Sequence, residues 1–101
     1  MDKYLEELYL TGNSSKYRDV SRNKALRDGF VRAVNAMISA ENIEELKKIS
    51  YLHYELLKYQ YSGMSSVRLS NSFVHRLLFR ETKDGLEVTL IEIDDTHYGN
   101  K

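Results

Sequence analysis

The chain has 101 residues, of which 42% are hydrophobic and 30% are charged, and we expect residues 1–101 to form a single small domain with its own core. It contains no cysteine, which excludes a disulfide framework and a zinc–thiolate site and fits a reducing cytoplasm. Fifteen basic and fifteen acidic residues give a formal net charge of zero, so net charge does not indicate nucleic-acid binding. No apolar run approaches the ~18 residues of a membrane-spanning helix, and the acidic N-terminus is not typical of a signal peptide.

Charge is unevenly distributed along the sequence. The segment 16–32 contains six basic residues against two acidic ones, and the segment 53–80 contains four against one. Such segments are typical of a solvated face, but they also bind polyanions locally in a protein whose net charge is zero. Charge alone leaves both interpretations open.

The first half of the sequence has the periodicity of helices. Apolar residues recur at helical spacing over residues 4–9, and Gly12 is typical of the position that follows a helix. Ser14 or Ser15 is then available to cap the next helix.

A longer amphipathic helix is predicted over residues 21–38. Its apolar stripe consists of Leu26, Phe30, Val34, Met37 and Ile38. Gly29 lowers the helix propensity by ~1 kcal/mol relative to alanine, and its missing side chain allows close packing. Ile43 and Leu46 indicate a short third helix.

The second half alternates apolar and polar residues with the period of two that is typical of strands. Strands are predicted at residues 55–61, 66–70, 73–79 and 86–93, the last of them apolar enough to be central. In the third strand, Arg76 is expected on the face opposite Leu77. The Lys-Asp-Gly sequence at 83–85 is a strong hairpin signal. The chain is therefore predicted to be an α+β domain, with N-terminal helices packed on a small antiparallel sheet.

Several side chains in or beside these strands suit metal-free cleavage of RNA. This reaction needs a base for the 2'-hydroxyl, a cation for the phosphorane charge and an acid for the leaving 5'-oxygen. A carboxylate, a guanidinium, an imidazole and a phenol fit these requirements, and they are present as Glu55, Arg76, His97 and Tyr98. Each residue taken alone is typical of an ordinary surface position, so the hypothesis depends on the set, its order and its spacing.

The sequence favours no other chemistry. It contains no dinucleotide fingerprint, phosphate loop or nucleophile elbow, and no cofactor is expected. His53, His75 and His97 lack the spacing of metal ligands, so no metal site is expected. Tyrosines cluster at 51–61, where they suit base stacking or packing over a sheet.

The second half of the sequence resembles the RelE superfamily of bacterial toxins. The elements of the YoeB-type pattern occur in order: E-L-L-K at 55–58, Ser-Gly at 62–63, an arginine-bearing strand around Arg68, H-R-L-L-F at 75–79 and a terminal His-Tyr pair at 97–98. The likeness covers roughly residues 50–98 well, and the helical half is similar to the HigB group more loosely. The resemblance implies a RelE-like fold whose first strand is short or absent here. It also implies a toxin of a type II toxin–antitoxin pair that cuts mRNA in the ribosomal A site.

The resemblance implies catalytic roles for four residues. Glu55 matches the general base, and Arg76 matches the arginine that holds the scissile phosphate and its transition state. His97 and Tyr98 match the terminal pair that positions the mRNA and helps to protonate the leaving group. The implied enzyme is a metal-independent endoribonuclease.

Further positions and partners follow from the same resemblance. Lys58 and Arg68 match supporting phosphate-binding positions, and Arg80 is expected to extend that RNA-binding surface. The implied partners are a cognate antitoxin, the ribosome and mRNA in the bacterial cytoplasm, with no membrane and no cofactor. We expect the antitoxin to cover basic surface, to displace the C-terminal tail or to pair with an open sheet edge.

Two departures from the pattern keep alternatives open. The family usually has an aromatic residue where this chain has Met64, and a further arginine where it has Val67. One alternative is therefore a toxin fold that keeps its partner but lacks activity. Another is a ParE-type toxin, which shares the scaffold and poisons DNA gyrase without cutting RNA. The glutamate, arginine, histidine and tyrosine set favours the nuclease.

Overall fold

A computed structural model describes residues 2–58, 63–81 and 88–94. Its helices are α1 (Lys3–Thr11), α2 (Arg18–Arg22), α3 (Lys24–Ser39), α4 (Ile43–Lys47) and a 3₁₀ helix (Ser50–Leu52). Its strands are β1 (Glu55–Leu56), β2 (Ser65–Arg68), β3 (Arg76–Glu81) and β4 (Val88–Asp94). Each strand pairs antiparallel with the next, in the order β1-β2-β3-β4. The predicted α+β class, with helices preceding an antiparallel sheet, is confirmed.

Helix α1 begins and ends at residues suited to capping. The carboxylate of Asp2 accepts a 2.8 Å hydrogen bond from the N–H of Leu5. Gly12 follows the helix with a φ of 80°, a conformation that glycine adopts without strain, and its N–H donates to the carbonyl of Leu8. The predicted end of the first helix is confirmed. Within the described residues, Asp2 leads directly into α1 and no strand precedes it.

The predicted helix over residues 21–38 is wrong at its start, because the chain is divided at Asn23. This residue has an extended backbone, with φ −112° and ψ 114°, and its side-chain oxygen accepts a 3.2 Å bond from the N–H of Leu26. The asparagine cap therefore begins α3 at Lys24 and leaves Ser21 in α2. Ser14, a predicted cap, accepts a hydrogen bond from the residue that precedes α2.

Gly29 brings α3 into direct contact with the sheet. A side-chain carbon at this position would lie 1.9 Å from the carbonyl oxygen of Leu69, the residue that follows β2. Because that oxygen belongs to the backbone, no change of rotamer relieves the approach. The close packing expected at Gly29 is confirmed, and it fixes the distance between α3 and β2.

The strands differ from the prediction in their bounds. Strand β1 occupies Glu55–Leu56, so the predicted start at Glu55 is confirmed, and residues 59–62 of the predicted strand lie outside the described chain. Strand β3 starts three residues later than predicted, because the N–H of Phe73 closes a turn onto the carbonyl of Ser70. The predicted hairpin turn at 83–85 lies outside the described residues.

The prediction that the last strand is central is wrong. Strand β4 pairs with β3 and stands at the edge of the described sheet. Its buried apolar residues Leu90 and Ile93 face the core, whereas Glu92 between them is exposed. The apolar residues of β4 therefore reflect burial of one face of the strand, and they do not indicate that the strand has a neighbour on each side.

The two faces of the sheet differ in composition. The core face carries buried apolar residues that pack against the helices: Val67, Leu77, Phe79, Leu90 and Ile93. We call the opposite side the outer face, and it carries Glu55, Ser66, Arg68, Arg76, Leu78, Arg80, Glu92 and Asp94. The predicted placement of Arg76 and Leu77 on opposite faces is confirmed.

Candidate functional site

Residues distant in sequence meet on the outer face because the strand register places them opposite one another. Arg76 of β3 lies opposite Arg68 of β2 and opposite Asp94 of β4. Glu55 of β1 lies opposite Ser66 of β2. Directly opposite residues of an antiparallel pair project to the same face, with Cβ atoms ~4.5–5.5 Å apart. Three predicted site residues, Glu55, Arg68 and Arg76, are therefore brought to one surface.

The guanidinium of Arg76 is held on two sides. Its Nε donates a 2.7 Å hydrogen bond to Oγ of Ser66, and its Nη2 donates to the backbone carbonyl oxygen of His53. Nη2 also lies 3.9 Å from Oε1 of Glu55. Only 8% of Arg76 is exposed, whereas 51% of the Glu55 side chain is. A fixed positive charge thus lies beside a carboxylate that a ligand can reach.

The surroundings of Arg76 satisfy what a buried cation requires. A buried charge is unfavourable unless its donors are bonded and an opposite charge is near. The hydroxyl and the carbonyl accept hydrogen bonds from Nε and Nη2, and Glu55 together with Asp94 supplies negative charge. A guanidinium held in this way stabilises charge that develops on a bound phosphate, because it need not reorganise first.

Arg68 adds a second guanidinium directly beside Arg76. Its Nε is buried, and no hydrogen-bond acceptor reaches it within residues 2–58, 63–81 and 88–94. Like charges directly opposite on neighbouring strands repel, and an unsatisfied buried donor is costly. A bound anion would relieve both effects.

The other predicted site residues are only partly described. Lys58 follows β1 and is exposed. Arg80 is exposed on the outer face, and its Nη1 lies 3.5 Å from where a side-chain carbon at Gly63 would be. Arg80 extends the basic surface of the outer face. His97 and Tyr98 lie outside the described residues, so their role in positioning and proton donation stays a prediction.

A small apolar cluster adjoins the charged residues. Leu57 and Leu78 are buried, and Met64 packs against them. Leu78 lies between Arg76 and Arg80 along β3, so the apolar cluster separates the two guanidinium groups. Met64, one of the departures from the toxin pattern, contributes to this packing instead of offering an aromatic ring.

Three contributors to the site were not predicted from the sequence. Ser66 is two residues from Arg68 and Asp94 is opposite Arg76, so strand alternation and pairing contain the signal for both. The third contributor is the carbonyl of His53. Its direction depends on a left-handed backbone with φ 48° and ψ 56°, which no sequence pattern indicates.

Two further clusters join elements of the fold. His75 Nε2 lies 2.6 Å from Oδ2 of Asp19. Partial burial by itself would raise the pKa of Asp19. Hydrogen bonds from His75 and from the Val20 N–H, together with the charge of the histidine, outweigh this effect and lower the pKa of Asp19. These contacts attach α2 to the chain just before β3.

The second cluster surrounds Tyr54. Its hydroxyl bonds to Oε2 of Glu81 at 3.0 Å and lies 3.0 Å from Oγ of Ser65, while its ring packs near Phe79. Desolvation raises the pKa of Tyr54; the hydrogen bond with Ser65 opposes that rise and the bond to Glu81 adds to it. The cluster ties the segment before β1 to β2 and β3.

Within residues 2–58, 63–81 and 88–94, no group of histidine, aspartate and glutamate side chains is placed to hold a metal ion. Nor does that part of the chain contain a helix long and apolar enough to cross a membrane. A scan against protein-family models, a search of curated proteins and a search of solved structures each find no match. The motif residues and the geometry of the outer face are therefore the features that bear on function.

Proposed function

We propose that the chain is a RelE-like toxin of a type II toxin–antitoxin pair that cuts ribosome-bound mRNA on its outer face. The observation that carries the proposal is the Glu55–Arg76 pair. An accessible carboxylate oxygen lies 3.9 Å from Nη2 of a buried guanidinium that is held by two further contacts. The order of the motif residues along the sequence, from Glu55 to the His97–Tyr98 pair, supports the same function.

The proposed reaction assigns one role to each group. Glu55 accepts the proton of the 2'-hydroxyl, whose oxygen forms a bond to phosphorus while the bond from phosphorus to the 5'-oxygen breaks. Arg76 and Arg68 stabilise the negative charge on the non-bridging oxygens. His97 or Tyr98 supplies the proton that the 5'-oxygen gains. The products are a 2',3'-cyclic phosphate and a 5'-hydroxyl, and the mechanism assigns no step to a metal.

The ribosome supplies alignment in this proposal. A carboxylate is a weak base for a 2'-hydroxyl, so the nucleotide must be held close to the geometry of attack. Alignment of reacting groups contributes ~7–11 kcal/mol in favourable cases. We therefore expect ribosome-bound mRNA to be cut in frame with codons and free RNA to be cut poorly.

The substitution Glu55→Gln tests the proposal at the chemical step. The amide keeps the shape of the side chain but does not accept the proton, and general-base catalysis typically contributes about 100–10,000-fold. Half of this side chain is exposed and Asp94 still lies opposite Arg76, so we expect only a small loss of stability. Arg22→Ala is the matched control, because it removes an exposed arginine from α2 and leaves the outer face intact.

Cleavage is measured by primer extension on translated mRNA and on the same RNA without ribosomes. The expected result is in-frame cleavage by the wild type and by Arg22→Ala, with cleavage by Glu55→Gln reduced by at least about 100-fold. A folded Glu55→Gln variant that cuts as fast as the wild type would reject the assigned base. A wild type that cuts neither RNA would reject the nuclease.

A second candidate function is binding without cleavage on the same scaffold. Asp94 opposite Arg76, and exposed Glu92 beside it, add negative charge that an incoming polyanion must approach. This observation favours a ParE-type gyrase toxin or an inactive toxin fold. Inhibition of gyrase without RNA cleavage would support the first, and binding of an acidic antitoxin segment without either activity would support the second.

A further inference from the structure

A residue with an unusual backbone anchors Arg76. His53 follows the 3₁₀ helix with φ 48° and ψ 56°, and among the described non-glycine residues it alone has a positive φ. This left-handed conformation is unfavourable for residues with a side chain. It persists only where the surrounding structure holds it, and such positions cluster at functional sites.

The left-handed conformation determines where the His53 carbonyl points. The N–H of His53 donates to the carbonyl of Ser50 at 3.3 Å, which ties the residue to the 3₁₀ helix. Its own carbonyl then accepts a hydrogen bond from Nη2 of Arg76. The residue is exposed overall. An extended conformation at this position would turn the peptide plane and remove the acceptor from Nη2.

We propose that His53 is a positioning residue that acts through its main chain, by holding the Arg76 guanidinium in the orientation that faces Glu55 and the phosphate. This inference rests on the proposed role of Arg76 in RNA cleavage. Ser66 restrains the same guanidinium through Nε, so the two contacts fix both ends of the planar group. A catalytic group contributes most when its supporting contacts fix it before the substrate arrives.

Two substitutions at His53 distinguish the effect of the main-chain conformation from the effect of the side chain, because both remove the imidazole. His53→Gly keeps the left-handed conformation accessible, whereas His53→Val opposes it, because β-branched residues rarely adopt a positive φ. The first measurement involves no RNA and uses NMR of isotope-labelled arginine. A guanidinium held at Nε and Nη2 gives separate Nη signals, and free rotation merges them. We expect separate Arg76 signals in the wild type and in His53→Gly, and merged signals in His53→Val.

The second measurement is the cleavage rate at saturating ribosome-bound mRNA. We expect His53→Val to lower this rate by about 100-fold with little change in KM, since a displacement of ~1 Å has an effect of this size. His53→Gly, the conservative change for the backbone, should restore most of the rate. His53→Ala, which opposes a positive φ less strongly than valine, replaces His53→Val if the latter does not fold, and should give an intermediate result.

The two measurements distinguish failure of this inference from failure of the proposed function. Separate Arg76 signals in His53→Val would overturn the inference whatever the RNA assay shows. Loss of cleavage in His53→Gly with unchanged Arg76 signals would also overturn it, because the imidazole would then be the active group. If the signals change as expected but the wild type cuts no RNA, the positioning of Arg76 stands and the nuclease does not.

Discussion

The substitution Gly29→Ala tests the packing that supports the outer face. In an ordinary helix it would be stabilising by ~1 kcal/mol, because alanine is the better helix former. In α3 the added carbon would lie 1.9 Å from the carbonyl oxygen of Leu69 and 2.8 Å from its carbonyl carbon. Close carbon–oxygen contacts in proteins are ~3.3 Å or longer, so α3 and β2 must separate by about 1.4 Å.

The expected cost follows from the kind of atom that must move. Overpacking a core costs ~1–3 kcal/mol and occasionally more. The upper part of that range applies here because the obstacle is backbone, and subtracting the helix gain leaves a net loss of ~2 kcal/mol. Since Leu69 directly follows Arg68, and β2 also carries Ser66, the separation should displace the groups around Arg76. RNA cleavage should therefore fall along with stability.

Denaturant unfolding measures this effect as a lower midpoint at an unchanged m-value. Ile38→Ala is the matched control, because Ile38 belongs to the same helix and is 69% exposed, so its loss should change stability by less than ~0.5 kcal/mol. A Gly29→Ala protein that is as stable as the wild type, or more stable, would refute the contact between α3 and β2.

Three further predictions concern individual side chains. The pKa of Asp19 is lowered in the folded protein, so its contribution to stability is present above the unfolded pKa and is lost as pH falls through the folded pKa. The stability difference between wild type and Asp19→Asn should therefore shrink below about pH 4 in urea titrations, and should stay under ~1 kcal/mol because this carboxylate is largely exposed. Tyr54→Phe should lower the free energy of unfolding by ~1–2 kcal/mol, since Glu81 loses a partner. In the wild type, Tyr54 should ionise at higher pH than free tyrosine in an absorbance titration. Arg68→Gln should weaken RNA binding and reduce the salt dependence of that binding. It should also raise the free energy of unfolding by up to ~1 kcal/mol, because the like charge opposite Arg76 is gone. Unchanged RNA affinity would show that Arg68 is not part of the site.

Periodicity predicted the helices but not the break between α2 and α3. The apolar stripe begins at Leu26, yet the polar residues before it allowed the predicted helix to extend back to residue 21. The division at Asn23 depends on competition between continuing the helix and capping a new one, and the cap is favoured because its side chain satisfies the N–H of Leu26. The break between α2 and α3 is predicted correctly when asparagine is considered as a helix cap before the apolar periodicity is extended.

The sequence predicted which face of the sheet carries the site more reliably than it predicted the site's geometry. Alternation separates Arg76 from Leu77, and pairing across β1, β2 and β3 brings Glu55 close to Arg76. Alternation does not show that Arg76 is 8% exposed, because its burial also depends on contacts outside the strands, such as the hydrogen bond to the His53 carbonyl. The acidic neighbour Asp94 lies one residue beyond the predicted last strand, which ends at residue 93, whereas β4 extends to Asp94.

The burial of Arg76 bears on the function of the outer face. Replacing a buried ion pair by well-packed apolar residues is often neutral or stabilising, so stability alone does not favour an arginine at this position. An apolar side chain beside Leu78 would join the cluster formed with Leu57 and Met64. The chain instead places a guanidinium there, bonds it to Ser66 and to the strained backbone of His53, and sets a half-exposed carboxylate beside it. A rigidly held cation that stability alone does not favour agrees with the proposed phosphate ligand, which would gain charge during cleavage.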